Sequence, residues 1–207
     1  MFIIDFDDTL FDTHAFKRAR LEAMGRLGVE EELFWKTYAE ARNNAAGNFI
    51  YTDERHADII ARHGFAKAEV LWALRGVNNN LRGYFFPDAT PFLEKLKQNN
   101  QKAILLSLGE ENFQKLKLKG SGIENFFYRI YTVDDTKENV MKEITRQNGD
   151  EEVWFINDKI GETKQILNLF PTVRAVLRMS KSIAEKDYMA SGIPYIHSLS
   201  EIFQYVG

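Results

Sequence analysis

Three carboxylates directly follow a short apolar segment near the start of the chain, where residues 2–4 run into Asp5, Asp7 and Asp8. Side chains two positions apart on an extended chain point to the same side, so Asp5 and Asp7 are expected to share one site. Carboxylates held together repel each other unless a cation joins them. A helix cap at Asp8 or Thr9 would account for one polar residue but not for the whole cluster.

A serine follows a second apolar segment, at residues 103–106. Ser107 is followed by Leu108 and Gly109, where a flexible turn could direct backbone N–H groups towards an anion. Ser107 taken alone could equally cap a helix.

A second pair of acidic residues, Asp158 and Glu162, follows the apolar segment 153–156. The segment runs into Asn157 and then Asp158. Glu162 lies four residues further on, about one helical turn away. In doubly wound parallel sheets, ligands bind at the carboxyl ends of the strands near the switch in strand order. We therefore expect these groups to converge on the site formed by Asp5 and Asp7.

Five apolar segments rich in β-branched and aromatic residues predict the strands that position these groups. Helical spacing between the last four strands predicts an α/β fold with a Rossmann-like parallel sheet and helices on both faces. Thr90 is expected to cap a helix that has Pro91 at its first position. The predicted strands are Phe2–Ile4, Ala103–Leu106, Phe127–Tyr131, Val153–Ile156 and Val173–Leu177.

Almost a hundred residues separate the first two strands, far more than one crossover needs. Apolar residues recur at steps of three or four in this interval, as in Phe34, Tyr38 and Ala41, which predicts amphipathic helices. We expect about four helices, forming an inserted all-helical domain at 12–85. Residues 1–11 and 86–207 would form the catalytic core.

Composition excludes several classes of protein. The 207 residues include 27 Lys and Arg against 30 Asp and Glu, a net charge of −3, so no strong field would recruit nucleic acid or an anionic membrane. The absence of cysteine removes thiol catalysis, thiolate metal sites and disulfides. We expect neither a signal peptide nor a membrane-spanning segment, because the first residues lack a basic region and no apolar run is long enough. We expect a cytoplasmic protein.

The Asp5-Phe6-Asp7-Asp8-Thr9 segment, with Ser107 and Asp158 after later strands, resembles the motifs of the haloacid dehalogenase superfamily of phosphohydrolases. The resemblance covers the whole chain. It identifies 12–85 as a C1-type helical cap, as in phosphoglycolate-phosphatase-like members, and it places the first strand beside the strand that precedes Asp158.

The resemblance implies a phosphomonoesterase that acts on a small phosphorylated metabolite. Asp5 would be the nucleophile that forms an aspartyl-phosphate, and Asp7 the general acid and base. One Mg²⁺ would be held by Asp5, the backbone carbonyl of Asp7 and Asp158, with support from Glu162. The groups expected to bind the phosphate are Thr9, Ser107, Leu108, Gly109 and Lys137.

Three positions depart from the family pattern or leave a choice open. Asn157 stands where glycine is usual, and Glu162 stands where aspartate is more common. Lys142 competes with Lys137 for the role of the lysine that binds the phosphate; Lys137 is favoured because it begins the helix nearest the carboxyl edge of the sheet.

Other functions also fit parts of this pattern. Asp7 argues against dehalogenation, which needs no acid for the leaving group. A receiver domain would not carry Asp-x-Asp on its first strand or a helical insertion. A sugar phosphomutase and a catalytically silent phosphate-binding protein remain as alternatives.

Substrate specificity is expected to lie in the cap, at Arg42, Asn43, Asn44 and Tyr51. The oligomeric state remains open.

Overall fold

The computed structural model describes residues 1–149 and 151–206, and within them the core is a six-stranded sheet in the order β3-β2-β1-β4-β5-β6. All neighbouring strands are parallel. This confirms the predicted α/β fold class and the position of β1 beside β4. The strands are β1 (Phe2–Ile4), β2 (Ala103–Leu108), β3 (Arg129–Val133), β4 (Val153–Asn157), β5 (Val173–Arg178) and β6 (Tyr195–Ile196).

The strand predictions are confirmed with small shifts. Strands β1, β2, β4 and β5 begin at the predicted residues, whereas β3 begins two residues later than predicted. The two-residue strand β6 was not predicted, because two residues give no periodic signal. Strand β1 is short but central: Ile3 is paired with Ile104 on one side and Phe155 on the other. Burial on both faces explains why this strand is continuously apolar.

Helices cover both faces of the sheet. Leu93 and Leu118 belong to the apolar cluster on one face, and Met141 and Ile166 belong to the cluster on the other. No helix in the described residues is long and apolar enough to cross a membrane. The core helices are α5 (Ala89–Gln98), α6 (Glu111–Ser121), α7 (Glu138–Asn148), α8 (Ile160–Leu169) and α9 (Glu185–Ser191).

The predicted start of α5 was wrong. The helix begins at Ala89 with Asp88 at the N-cap position, so neither Thr90 nor Pro91 takes its expected place. Pro91 still lies in the first turn, where backbone N–H groups need no partner within the helix. Asp88 Oδ2 instead accepts hydrogen bonds from Arg178 and from the backbone of Leu199, at 2.8 Å each.

Residues 13–84, between β1 and β2, form a separate bundle that we call the helical unit. It has its own apolar core, which includes Phe34, Ile60 and Leu74. Its two connections to the sheet lie side by side, since Phe86 N donates to Leu10 O (3.0 Å) and Asp12 N donates to Tyr84 O (2.7 Å). The unit consists of α1 (Thr13–Gly25), α2 (Glu31–Arg42), α3 (Asp53–Ala61), α4 (Lys67–Asn78) and a 3₁₀ turn (Leu81–Tyr84).

A buried ion pair between Arg20 and Asp53 joins α1 to α3 inside the helical unit. Asn78 of α4 holds both partners, because its Oδ1 accepts from Arg20 (3.0 Å) and its Nδ2 donates to Asp53 (2.7 Å). The Arg20 guanidinium also donates to the hydroxyl of Tyr51. These bonds compensate for the cost of burying two charges.

His56 extends this network and is neutral. The Thr37 hydroxyl donates to Leu33 O (2.8 Å), so His56 must donate from Nε2 to Thr37 (3.1 Å). His56 Nδ1 therefore accepts from the Tyr51 hydroxyl (3.0 Å). Burial, with a smaller contribution from Arg20, lowers the pKa of His56 from 6.5 to about 3.

This histidine makes the stability of the protein fall as the pH falls. Between pH 6.5 and 3 the unfolded chain binds a proton at His56 that the folded chain does not, so this contribution is complete above pH 6.5 and is lost towards acid. From pH 7 to pH 5 the loss should be about 2 kcal/mol. Urea unfolding at both values should show a smaller loss for His56→Gln. The exposed His63 provides the control, since His63→Gln should retain the wild-type pH dependence. An equal loss in His56→Gln and wild type would contradict this assignment.

Candidate active site

The polar groups that follow β1 and β4 and the serine near the end of β2 meet at the carboxyl edge of the sheet. Asp5, Ser107 and Asp158 are all buried. Asp5 N donates to Ile156 O at 2.9 Å, which fixes Asp5 directly beside the end of β4. The structure thus brings together three of the groups that the sequence singled out.

Lys137 lies at the centre of this site. Its Nζ donates to Asp5 Oδ1 at 2.6 Å and to Glu162 Oε2 at 2.8 Å. Burial disfavours the ammonium form, but the two carboxylates outweigh it and raise the pKa of Lys137. Lys142, the competing lysine, is exposed on α7.

Glu162 and Asn157 position Lys137. Besides Lys137, Glu162 Oε2 accepts from Asn157 Nδ2 at 2.8 Å, and Asn157 Nδ2 lies 3.1 Å from the Thr163 hydroxyl. Both contacts use Glu162 Oε2, and the expected support of a metal by Glu162 stays a prediction. Asn157 fills the position expected for glycine and gives this carboxylate a second donor.

Two buried polar atoms at the sheet edge have no hydrogen-bond partner in the described part of the chain, Asp158 Oδ1 and Ser107 Oγ. Burial raises the pKa of Asp158 to about 8, and the neighbouring Asp5 and Asp8 add to this shift. Burial also raises the pKa of Asp5, against the opposing effect of Lys137. Repulsion among these carboxylates and the unsatisfied oxygen of Asp158 suit a hard divalent cation.

Side chains alone do not complete a metal site here. Among residues 1–149 and 151–206, no three His, Asp or Glu side chains converge as ligands of one ion. A cation held by Asp5 and Asp158 would therefore need backbone carbonyl and water ligands. Mg²⁺ fits such a site, since it keeps several waters and binds through one or two carboxylates.

Asp7 lies in a different environment, one that the sequence did not predict. Its carboxylate accepts from Lys117 Nζ (2.6 and 2.7 Å), Thr13 Oγ1 (2.6 Å) and Gln114 Nε2 (2.9 Å). Burial opposes its charge, but Lys117 and these hydrogen bonds hold the pKa of Asp7 well below its usual range. One signal was available in the sequence: Gln114 and Lys117 share the i, i+3, i+4 face of α6 with the buried Leu118.

Two of the groups expected to bind phosphate, on Gly109 and Thr9, have other partners. The Gly109 N–H donates to Val133 O at 2.8 Å, so it is committed to the neighbouring strand. The Thr9 hydroxyl donates to Asp5 Oδ2 at 3.3 Å and thereby helps to orient the Asp5 carboxylate. Leu108 lies in β2, and its carbonyl accepts from Gln114 Nε2 at 2.8 Å; the role expected for its N–H stays a prediction.

A cleft of about 120 Å³ separates the helical unit from the sheet edge. Asp7 and Lys159 line it from the core, and Lys17 and Arg42 line it from the helical unit. The segment that follows α2 reaches the core directly, because Phe49 N donates to the carbonyl of Asp134 at 2.8 Å.

Of the four residues expected to determine specificity, two line this cleft. The Arg42 guanidinium lies 4.6 Å from the centre of the Phe49 ring. Tyr51 also lines the cleft, while its hydroxyl is bonded within the helical unit. Asn43 and Asn44 instead build the turn that follows α2: Asn43 Nδ2 donates to Gly47 O at 2.6 Å, and Asn44 Oδ1 accepts from the N–H groups of residues 46 and 48.

Removing Lys137 should destabilise the protein strongly. Lys137→Met leaves the carboxylates of Asp5 and Glu162 buried without their cation, which should cost about 3–5 kcal/mol. The matched control is Lys142→Met, because an exposed lysine on the same helix should contribute no more than about 0.5 kcal/mol. Urea unfolding at pH 7 in EDTA measures both. Equal unfolding midpoints for the two variants would show that the carboxylates do not depend on Lys137.

Comparison with known proteins shows the fold and the family. No curated protein matches the sequence. A candidate haloacid dehalogenase-like hydrolase from Burkholderia xenovorans is similar in structure, with a TM-score of 0.76, 16% identity, and coverage of 98% of this chain and 94% of that one.

Two further structures share the fold. The candidate HAD-hydrolase YfnB from Bacillus subtilis, in a form bound to magnesium, has a TM-score of 0.61 and 17% identity over 100% of this chain and 97% of that one. A predicted phosphoglycolate phosphatase from Haemophilus somnus has a TM-score of 0.64 and 11% identity over 100% and 97%. The model of the haloacid dehalogenase-like hydrolases matches residues 1–160, and the chain therefore belongs to this family.

Proposed function

We propose that this protein is a Mg²⁺-dependent phosphomonoesterase that hydrolyses a small phosphorylated metabolite through an aspartyl-phosphate on Asp5. The observation that carries the proposal is the pairing of Lys137 Nζ with Asp5 Oδ1 at 2.6 Å, beside the unpartnered oxygen of Asp158. A lysine holds the buried carboxylate of Asp5, and the neighbouring oxygen of Asp158 could bind a cation. This arrangement suits in-line attack on a phosphate dianion.

In the first step, Asp5 would attack phosphorus while the bond from phosphorus to the leaving oxygen breaks. Asp7 would give that oxygen a proton. Because Asp7 is ionised in its resting contacts, it must first take up this proton. A phosphate monoester, whose second pKa is about 6, can carry the proton into the site.

In the second step, Asp7 would take a proton from water as the water oxygen attacks phosphorus. The bond from phosphorus to Asp5 then breaks and inorganic phosphate leaves. Lys137 and the Ser107 hydroxyl would stabilise the charge on the transferring oxygens. A Mg²⁺ held by Asp5, Asp158 and the backbone carbonyl of Asp7 supplies further positive charge to the phosphate when bound.

The helical unit, with its connections at 12–85, would act as the cap of this site. It covers the cleft that leads to Asp7, and closing over the substrate would exclude bulk water from the aspartyl-phosphate.

Release of phosphate tests the proposal. Wild type should hydrolyse p-nitrophenyl phosphate or a member of a panel of small phosphorylated metabolites with Mg²⁺ but not with EDTA, and Asp5→Asn should abolish turnover. Asp7→Asn should lower kcat by about 10²- to 10⁴-fold. Asp187→Asn, at an exposed position on α9, is the matched control and should retain activity.

The outcomes separate the alternatives. Phosphate release that persists in Asp5→Asn would contradict the assigned nucleophile. Transfer of phosphate between two sugar hydroxyls without its release would indicate a phosphomutase, and binding of phosphate without any turnover would indicate a silent binding protein.

We also propose that the substrate carries a second anionic group, which Arg42 binds. Lys17 and Arg42 line the cleft on the side of the helical unit, and each lies over an aromatic ring. Tyr51 would contribute ring surface to the same wall. Asn43 and Asn44 would shape the turn that carries Phe49 instead of touching the substrate.

Arg42→Ala should therefore raise KM by about 10- to 100-fold for a phosphorylated substrate that carries a second anionic group. This is the value of a hydrogen bond to a charged group. KM for p-nitrophenyl phosphate should change little. Arg62→Ala is the control, because Arg62 is an exposed arginine of the helical unit that pairs with Glu40. Initial rates over a range of substrate concentrations measure the effect, and an equal change for both substrates would contradict the role of Arg42.

A further inference from the structure

Helix α6 holds the side chain of Asp7 in one orientation. Each carboxylate oxygen has two donors: Oδ1 accepts from Thr13 and Lys117, and Oδ2 accepts from Gln114 and Lys117. Two of these three donor residues lie one helical turn apart on α6. Hydrogen bonds from three residues therefore hold the carboxylate before a substrate arrives.

Burying the ammonium group of Lys117 costs free energy, and its ion pair with Asp7 offsets this cost. Its side chain is only 4% exposed, and Asp7 is its single ion-pair partner among the described residues. The rings of Phe6, Phe11 and Phe113 lie 5.3–5.6 Å from its Nζ. Replacing a buried ion pair by well-packed apolar residues is often neutral or stabilising, so packing alone does not require a lysine here.

Gln114 is held just as specifically. Its Nε2 donates to Leu108 O (2.8 Å) as well as to Asp7, which fixes the direction of the amide. The backbone of Gly109 leaves the space that this amide occupies, since a Cβ at Gly109 would lie 2.2 Å from Gln114 Nε2. A side chain at position 109 would therefore displace Gln114 from Asp7.

We infer that Lys117 and Gln114 are positioning residues for Asp7: they fix the orientation from which its carboxylate exchanges a proton with the leaving oxygen and with water. The inference rests on the proposed function, in which Asp7 is the acid and base. Lys117 does not itself touch the reacting atoms in this role, and its effect on the reaction passes through Asp7.

The test uses two esters of similar shape whose leaving groups differ in their need for a proton. p-Nitrophenyl phosphate releases a stabilised phenolate, whereas benzyl phosphate releases a strongly basic alkoxide. The ratio kcat/KM reports events up to phosphoryl transfer to Asp5. Asp7→Asn should therefore lower kcat/KM far more for benzyl phosphate than for p-nitrophenyl phosphate.

Lys117→Met should show the same selectivity, with a loss of about 10- to 100-fold on benzyl phosphate and less than about threefold on p-nitrophenyl phosphate. The double variant Asp7→Asn/Lys117→Met should lose no more than Asp7→Asn alone, because two residues that act as one unit are not additive. Lys117→Arg should recover part of the activity. Lys115→Met, at an exposed position on the same helix, should behave as wild type.

Equal losses on the two esters, or additive losses in the double variant, would overturn the inference while leaving the proposed function intact. If wild type hydrolyses neither ester nor any metabolite of the panel, the proposed function fails and the inference fails with it. Should Lys117→Met not fold, as judged by its urea unfolding curve, Gln114→Leu tests the same selectivity with only one donor to Asp7 removed.

Discussion

The site depends on one buried ammonium group. Strand β1 is buried on both faces and Asp5 directly follows it, so the Asp5 carboxylate enters a region with little solvent and with further carboxylates nearby. Lys137 Nζ joins Asp5 to Glu162 at 2.6 and 2.8 Å and thereby allows the central strand to end in a charged group. The sheet order β2-β1-β4 then places Ser107 and Asp158 on either side of Asp5.

The two principal aspartates lie in opposite electrostatic environments although they are two residues apart. Burial raises the pKa of Asp5, whereas Lys117 and the other donors hold that of Asp7 low. The lysines come from different helices, Lys137 from the start of α7 and Lys117 from the middle of α6. The low pKa of Asp7 favours its ionised form before substrate binds, so the acid role proposed for it requires a proton that arrives with the substrate.

Local patterns in the sequence predicted most of the strands and the polar residues that follow them. Strands buried in a parallel sheet are continuously apolar, so β1, β2, β4 and β5 could be located, and the polar residues at their ends followed from the chain itself. Lys117 shares a helix face with Leu118, but a lysine on an amphipathic helix resembles a solvated charge until tertiary packing turns it inwards, so this spacing alone did not assign it. The N–H of Gly109 was assigned to phosphate, but its bond to Val133 O depends on the register of β2 and β3, which no local pattern reveals.

Helix α6 contacts both the helical unit, which lines one side of the cleft, and the carboxylate of Asp7. Phe113 of this helix packs against the helical unit. Its ring centre is 4.9 Å from that of Tyr51 and 5.5 Å from the Arg20 guanidinium carbon. One residue further along, Gln114 bonds Asp7. Thr13, the first residue of α1, donates to the same carboxylate. A displacement of the helical unit relative to the core would therefore disturb the donors of Asp7 on both α1 and α6, so the orientation of this carboxylate depends on the position of the helical unit.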